Sequence, residues 1–373
     1  MWLWCILFYD GCRSIPGIRL TRASLKVAVG ISRHGYGHLI RTAEVLECLA
    51  KKRPLELLVH ATVPPALWPR ALTPFTTWID QPWDAGAVQV DDLNVNREAT
   101  AARLDQWETC APQVLDAAVQ RLRQGYDLVI GDVPPLAFEA AHAVGLPSFA
   151  IANFSWDWIY QQMGFGAHAA RAAGSYAKAD LLFALAPCAP MDAFVARRDV
   201  GVLGRRSERL RHHVRQQLGV RLEQRLVLPA FREAGAGLLC LPETGLDIVW
   251  LLASQRTDLA GRSDWILAPP EVPWIDLVAA ADAVVSKPGY GILGDTAGTG
   301  TPLLYAPRRG FPEDPVLEAA LASRKVVGEV PPEHLLDERW IDELSRILAL
   351  ERPLPDPIPA AEAIATEIDE RFT

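Results

Sequence analysis

Two glycine-bearing segments hold the residue types and spacings best suited to chemistry. Ser286-Lys287-Pro288-Gly289-Tyr290-Gly291 is entered from the apolar run Asp282-Ala283-Val284-Val285 and leads into a helix-like stretch carrying Asp295. A buried strand that breaks at glycines and restarts as a helix leaves unpaired N–H groups at the positive end of the helix dipole, facing a crevice that suits phosphate. Asp295 lies one helical turn beyond Gly291 with its side chain tilted back toward the N-terminus, where a carboxylate can accept hydrogen bonds from ribose hydroxyls. A plain strand-to-helix turn is the alternative for this segment taken alone.

The other segment, Gly30-Ile31-Ser32-Arg33-His34-Gly35-Tyr36-Gly37-His38, closes the first strand, and a helix is expected from about His38. Ligands of open α/β sheets gather at the carboxyl edge of the strands, and a histidine there can take the proton of a hydroxyl nucleophile. A turn with a capping histidine is the plainer alternative. A metal is not expected: His34 and His38 are four apart, but Gly35 and Gly37 oppose a continuous helical display and the glutamate of a zincin is missing. Asp132, ending its strand ahead of Pro134 and Pro135, reads either as a site residue or as the cap of the next helix.

An α/β scaffold must hold these segments. Apolar runs of strand length recur at 25–31, 55–59, 127–131, 148–151 and 181–185, and amphipathic stretches at 38–53, 97–124 and 134–145 separate most of them. Strands alternating with such helices build a parallel sheet covered on both faces. The alternation stops at a basic stretch with Arg205, Arg206, Arg209 and Arg211. It resumes with strands at 225–228, 247–252, 264–267, 283–285 and 302–305 and helices at 274–281, 291–299 and 314–324. The expected organisation is an appendage at 1–23, a first Rossmann-like domain at 24–196, a linker at 197–208, a second Rossmann-like domain at 209–350, and a tail at 351–373 with a short helix from about Ala360.

Half of the 373 residues are apolar and 22% are charged, which supplies two cores. The formal net charge of −8 argues against nucleic acid or an anionic membrane as partner and leaves anion binding to local arginines. Cysteines at 5, 12, 48, 110, 188 and 240 lack the paired short spacings of zinc or redox sites and read as free thiols of a cytoplasmic protein. The apolar opening from Met1 to Tyr9 lacks the charged start of a signal peptide and the length of a membrane helix, so no integral membrane segment is expected. Residues 1–23 read as the product of a start site assigned too far upstream, with a small anchoring segment as the alternative.

HGYGH at 34–38, DAGAVQVDDL at 84–93, GDVPP at 131–135, NFSWDWIY at 153–160, SKPGYGILGD at 286–295 and APRRGFPEDPVL at 306–317 together resemble the glycosyltransferase-like region of L-arabinokinase-type proteins. More distantly, the chain is similar to GT-B glycosyltransferases of the family that moves N-acetylglucosamine onto lipid-linked peptidoglycan precursors. The resemblance runs over residues 24–345. It implies a GT-B fold, two Rossmann-like domains facing across a cleft, with the acceptor on the first and the nucleotide-sugar on the second. Residue by residue, it implies His38, or His34 beside it, as general base, with Gly35, Gly37 and Asp132 on the acceptor side. Ser286, Gly289, Tyr290 and Gly291 match the donor-diphosphate loop, Asp295 the ribose ligand, and Arg308, Glu313 and Asp314 the donor-sugar region. Asn153, Ser155, Trp156 and Asp157 match a signature near the cleft, where amides and aromatic faces suit the hydroxyls and C–H faces of a sugar.

The implied activity is a hexosyltransferase-like, metal-independent transfer from a UDP-sugar to a small-molecule or lipid-linked hydroxyl acceptor, with no cofactor beyond the donor itself. Backbone amides and Arg308 would stabilise the departing diphosphate while His34 or His38 deprotonates the acceptor and domain closure excludes water. Two departures bear on this. Similar proteins carry a glycine pair after the first strand of the second domain, but here Leu228 is followed by Pro229-Ala230-Phe231-Arg232-Glu233, and proline donates no N–H. The kinase half of arabinokinase-type proteins is absent from this sequence, which makes a sugar kinase of a related pathway an expected partner. Two further readings stand beside the transferase: a catalytically silent sugar or nucleotide-sugar binding module, and a UDP-sugar epimerase, since a fold does not name its reaction.

Overall fold

The computed structural model describes residues 23–231, 239–243, 247–308 and 310–373. All of the appendage but Ala23, and Arg232 and Glu233 of the proline-led loop, lie outside the described residues.

Strand β1, Leu25–Ile31, is almost wholly buried, as a central parallel strand covered on both faces must be. It stands in a seven-stranded sheet ordered β3-β2-β1-β4-β5-β6-β7. Its neighbours are β2 (Leu55–His60), β3 (Thr76–Ile79), β4 (Leu128–Asp132), β5 (Ser148–Ala152), β6 (Leu181–Leu185) and β7 (Arg197–Gly201). The second sheet is ordered β10-β9-β8-β11-β12-β13, from β8 (Arg225–Pro229), β9 (Ile248–Leu252), β10 (Trp265–Leu267), β11 (Ala283–Ser286), β12 (Leu303–Tyr305) and β13 (Val327–Glu329). All of these pairings are parallel. The strand order turns back at β1/β4 in one sheet and at β8/β11 in the other, and such switch points open crevices beyond the carboxyl ends of the strands.

Helices α1 (Tyr36–Ala50), α2 (Arg97–Leu122), α3 (Pro135–Val144), α4 (Trp156–Gln162) and α5 (Gly166–Tyr176) belong to the first sheet. After α6 (Arg211–Gln217), the second carries α7 (Trp274–Ala280), α8 (Tyr290–Thr299), α9 (Asp314–Leu321) and α10 (Ile341–Leu348). The last helix, α11 (Ala360–Arg371), returns to pack on α1. Lys52 Nζ meets Glu362 Oε1 at 2.5 Å and Arg53 Nη1 donates to the Phe372 carbonyl at 3.0 Å. The expected tail is thus part of the packing around the first sheet.

Residues 197–201, expected in the linker, are edge strand β7, whose first three side chains are exposed. The segment that follows lies flat on α8. A Cβ on Gly294 would stand 2.2 Å from the Leu203 carbonyl oxygen and one on Gly298 2.3 Å from that of Arg205, so glycines one turn apart let a backbone rest on the helix.

Candidate functional site

Both glycine segments leave strands at the switch points and start helices without side-chain caps. Gly35 is the N-cap of α1, which begins at Tyr36 rather than His38, and Gly289 is the N-cap of α8. The free first-turn N–H groups and the positive ends of two helix dipoles therefore lie at these loops. The loops face each other: a Cβ on Gly291 would come within 3.8 Å of the Gly37 Cα.

His38, in the first turn of α1, turns its ring toward the end of β4, where Nδ1 lies 2.9 Å from Asp132 Oδ1. Asp132 is wholly buried, and it does not cap α3, whose N-cap is Pro134 with no side-chain bond. Its carboxylate instead accepts from Arg41 Nε at 2.8 Å, Arg41 Nη2, and Thr42 Oγ1 at 2.7 Å. Burial alone would raise this carboxyl, but Arg41 and then His38 outweigh it and bring it down to about 2. The next residue, Val133, has φ 79, a left-handed conformation that strains a β-branched side chain, and its carbonyl is fixed by the Tyr176 hydroxyl at 2.6 Å.

His34 stacks on Phe311 of the second sheet's loop, with centroids 4.8 Å apart and planes 13° apart, and meets Trp156 edge-on at 5.2 Å. Burial, with His38 and Arg308 nearby, holds its imidazole well below the usual 6.5, so it is neutral. Neither ring nitrogen makes a hydrogen bond of ordinary geometry, although the Ala87 backbone is close enough to act on it electrostatically. Trp156 is fully buried and its Nε1 donates to Asp84 Oδ2 at 2.8 Å. Ser155 is the N-cap of α4, and Asp157 lies in its first turn. Asn153 spans the two sheets, accepting from Arg41 Nη1 at 2.6 Å and donating to Glu313 Oε1 at 2.7 Å.

On the second sheet the expected donor residues have other partners. The Ser286 hydroxyl donates to the Ala230 carbonyl at 3.0 Å. The Tyr290 hydroxyl donates to the Ala186 carbonyl and accepts from the Leu203 N–H, both at 3.0 Å, so its side chain reaches the first sheet's last strands. Asp295 faces the interdomain segment, with both oxygens on Arg205. Arg308 is clamped by Asp314, through its backbone N–H at 2.7 Å and Nε at 2.6 Å, and by Glu313 Oε2 at 3.0 Å. Pro229 ends β8 and Phe231 is buried in the core of the second sheet.

Behind Asp84 a cavity of about 500 Å³ opens between α2, α3 and α5, walled by Leu104, Trp107, Leu136 and Tyr160 among others. Among the described residues, no group of three His, Cys, Asp or Glu is placed to hold a metal ion, and no helix is long and apolar enough to cross a membrane.

This architecture recurs in solved structures. Arabidopsis thaliana UGT89C1, complexed with UDP-L-rhamnose, matches with a TM-score of 0.58 at 13% identity over 93% of this chain and 98% of that one. Acinetobacter baumannii MurG matches with a TM-score of 0.55 at 14% identity over 93% and 99%. The fold is GT-B. In sequence this GT-B chain is similar to Arabidopsis thaliana L-arabinokinase, 29% identical over 358 residues and 90% of the chain. It spans 33% of that protein's length. No protein-family profile matches the sequence.

The GT-B cleft also contains residues that the sequence reading left out. Arg41 and Thr42 complete the Asp132 cluster, Asp84 anchors Trp156, and Asp92 pairs with Lys287 across the sheets at 3.0 Å. Arg41 had a signal: it stands three residues from His38, on the same helical face.

Proposed function

We propose that this GT-B chain is a glycosyltransferase that moves a hexosyl group from a UDP-sugar to a hydroxyl acceptor without a metal. The reading is supported above all by the two uncapped helix N-termini that meet at Gly37 and Gly291, beside the His38–Asp132 pair. The donor diphosphate lies against the first turn of α8, where backbone N–H groups and the dipole stabilise its charge. The acceptor places its body in the cavity behind Asp84 and its hydroxyl toward His38. That oxygen attacks the anomeric carbon, the bond from that carbon to the diphosphate oxygen breaks, and the hydroxyl proton passes to His38 Nε2 while Asp132 holds Nδ1–H. Asp295 binds ribose only once it leaves Arg205, and Arg308 meets the diphosphate only once Glu313 and Asp314 release it. We place the protein in the cytoplasm, in keeping with the free cysteines among the described residues, with a sugar kinase of a related pathway as partner, in keeping with its likeness in sequence to L-arabinokinase.

UDP release from UDP-sugars in the presence of mixed hydroxyl acceptors tests the reading. His38→Gln is expected to slow release by about 10²-fold or more while UDP still binds; equal rates would overturn the assignment of the base. The closed clamps on Asp295 and Arg308, with Pro229 where a glycine pair would stand, favour a second reading, a nucleotide-sugar binding module without turnover. Under it the wild-type chain binds UDP-sugars and releases UDP from none.

A further inference from the structure

The second sheet brings two cations to the cleft, Arg308 and Lys287, and both act electrostatically on His34. Their counter-ions come from different places. Arg308 is held by Glu313 and Asp314, five and six residues further along the same segment, so the three move together. Lys287 stands between β11 and Gly289, the N-cap of α8, and its Nζ meets Asp92 Oδ1, on the connection between β3 and α2, at 3.0 Å. Opening of the cleft parts the second pair and leaves the first intact.

Asp92 is carried on a built hairpin, residues 88–96. The Asn96 N–H donates to the Val88 carbonyl at 2.8 Å and the Val90 N–H to the Asn94 carbonyl at 2.9 Å. Asp91 Oδ1 closes the turn by accepting from the N–H groups of Leu93 and Asn94 at 2.7 and 2.8 Å. The Thr100 hydroxyl of α2 takes the Val88 N–H at 2.9 Å and ties the base of the hairpin to the first sheet's helices. The tip crosses to the other sheet, where Leu93 packs on the core cluster that holds Val227 of β8 and Val285 of β11. The Asp92 side chain is 2% exposed and that of Lys287 21%.

Lys287 also stands beside the loop that is short of donors. In the sheet Val285 lies opposite Pro229, which has no N–H, and the Ala230 N–H is taken by the Val285 carbonyl at 2.7 Å. A lysine ammonium is a compact point charge that binds phosphate. It supplies here the positive charge that backbone N–H groups of that loop do not.

We propose that Lys287 is a ligand of the donor diphosphate and that Asp92 is its stand-in anion, displaced when the donor enters. The proposal rests on the reading of the α8 N-terminus as the donor site. A diphosphate carries more negative charge than a carboxylate, and it enters with the cleft open and the hairpin withdrawn. In the empty closed protein Asp92 satisfies the ammonium while Leu93 covers the second sheet's core, so the hairpin competes with the donor. The apparent affinity for nucleotide is lowered by the fraction of molecules in which Lys287 is engaged by Asp92.

Calorimetric titration of the full chain with UDP tests this in a double-mutant cycle. Asp92→Asn is expected to bind UDP at least about threefold more tightly than the wild type, because the competing charge is gone. Lys287→Met is expected to bind it at least about tenfold more weakly. The gain from Asp92→Asn is expected to vanish in the double variant, since Asp92 acts through Lys287. The double variant also serves if Lys287→Met alone does not fold, because it removes both charges of the pair. UDP affinity unchanged or weakened in Asp92→Asn, or a gain that persists without Lys287, overturns the stand-in role. Wild-type affinity in a variant lacking Lys287 overturns the lysine as a ligand. Binding of UDP by none of the four proteins overturns the donor-site reading and the proposal with it, an outcome distinct from the others.

Discussion

Arg205 donates to both carboxylate oxygens of Asp295, at 3.0 and 2.5 Å, with only 19% and 6% of the two side chains exposed. Asp295, expected to hold a ribose, is in this arrangement the clasp between the interdomain segment and α8. Removing one partner leaves the other charged and shielded from water, so Arg205→Ala and Asp295→Ala are each expected to destabilise the fold by about 3–5 kcal/mol. Glu44 and Glu47 of α1 also act on Arg205, which moderates the Asp295 variant. Urea denaturation of both singles and of the Arg205→Ala, Asp295→Ala double variant measures the coupling; strictly additive costs would show that the clasp contributes nothing.

Acid should weaken the fold through Asp132. Its folded-state carboxyl sits at about 2 against an ordinary 3.8, because Arg41 and His38 overcome the effect of burial. A depressed carboxyl adds stability that is complete above 3.8 and lost as the pH falls through about 2. The shift corresponds to roughly 2 kcal/mol. Asp132→Asn should be less stable at neutral pH and flatter across that window, and an unchanged acid slope in urea titrations would contradict the ion cluster.

A second acid dependence comes from His60, which stacks on Trp83 with centroids 4.2 Å apart. Burial, reinforced by Arg121, lowers its imidazole from 6.5 to about 3. The unfolded chain therefore binds a proton that the folded chain refuses, and stability declines as the pH drops from 6.5 toward about 3. Neither ring nitrogen has a hydrogen-bond partner, so His60→Leu gives up none. Its stability should fall less steeply over that range; a slope equal to the wild type would show that His60 charges freely in the folded protein.

The glycines of α8 separate packing from function. Gly294→Ala drives a methyl to 2.2 Å from the Leu203 carbonyl and is expected to cost about 1–3 kcal/mol. Gly291→Ala meets only the Gly37 Cα at 3.8 Å and improves helix propensity, so it should melt at or above the wild-type temperature. Equal melting of the two variants would mean that the interdomain segment is not seated on the helix.

The central strands and the long helices were legible because burial on two faces writes a continuous apolar run and burial on one face writes a three-to-four step. β1, β6 and α11 fall where the sequence places them. β7 was hidden because an edge strand reading Arg197-Arg198-Asp199 keeps those side chains in solvent. The two glycine loops were also legible, since glycine followed by helix is a local signal. Arg41 was legible only as a neighbour of His38 on the same helical face, because an arginine within an amphipathic helix reads as its wet face, and only Asp132, 91 residues away, makes it a buried one. The partners of Asp295 and Arg308 were missed for the same reason: a carboxylate's role depends on which cation the fold brings to it, and Arg205 is 90 residues from Asp295.

The nucleotide reading is tested most directly by calorimetric titration of the wild-type chain and of Gly291→Asp with UDP and UDP-sugars. An aspartate in the first turn of α8 suits the helix dipole, and its Cβ would make only ordinary contact with the Gly37 Cα at 3.8 Å, so the fold should hold. It also sets a negative charge where the diphosphate is proposed to lie. The wild-type chain is expected to bind UDP, and Gly291→Asp to bind it at least about tenfold more weakly, roughly 1.4 kcal/mol. Absence of binding to any nucleotide, or equal affinity in the two proteins, would contradict a nucleotide-sugar site between the two glycine loops.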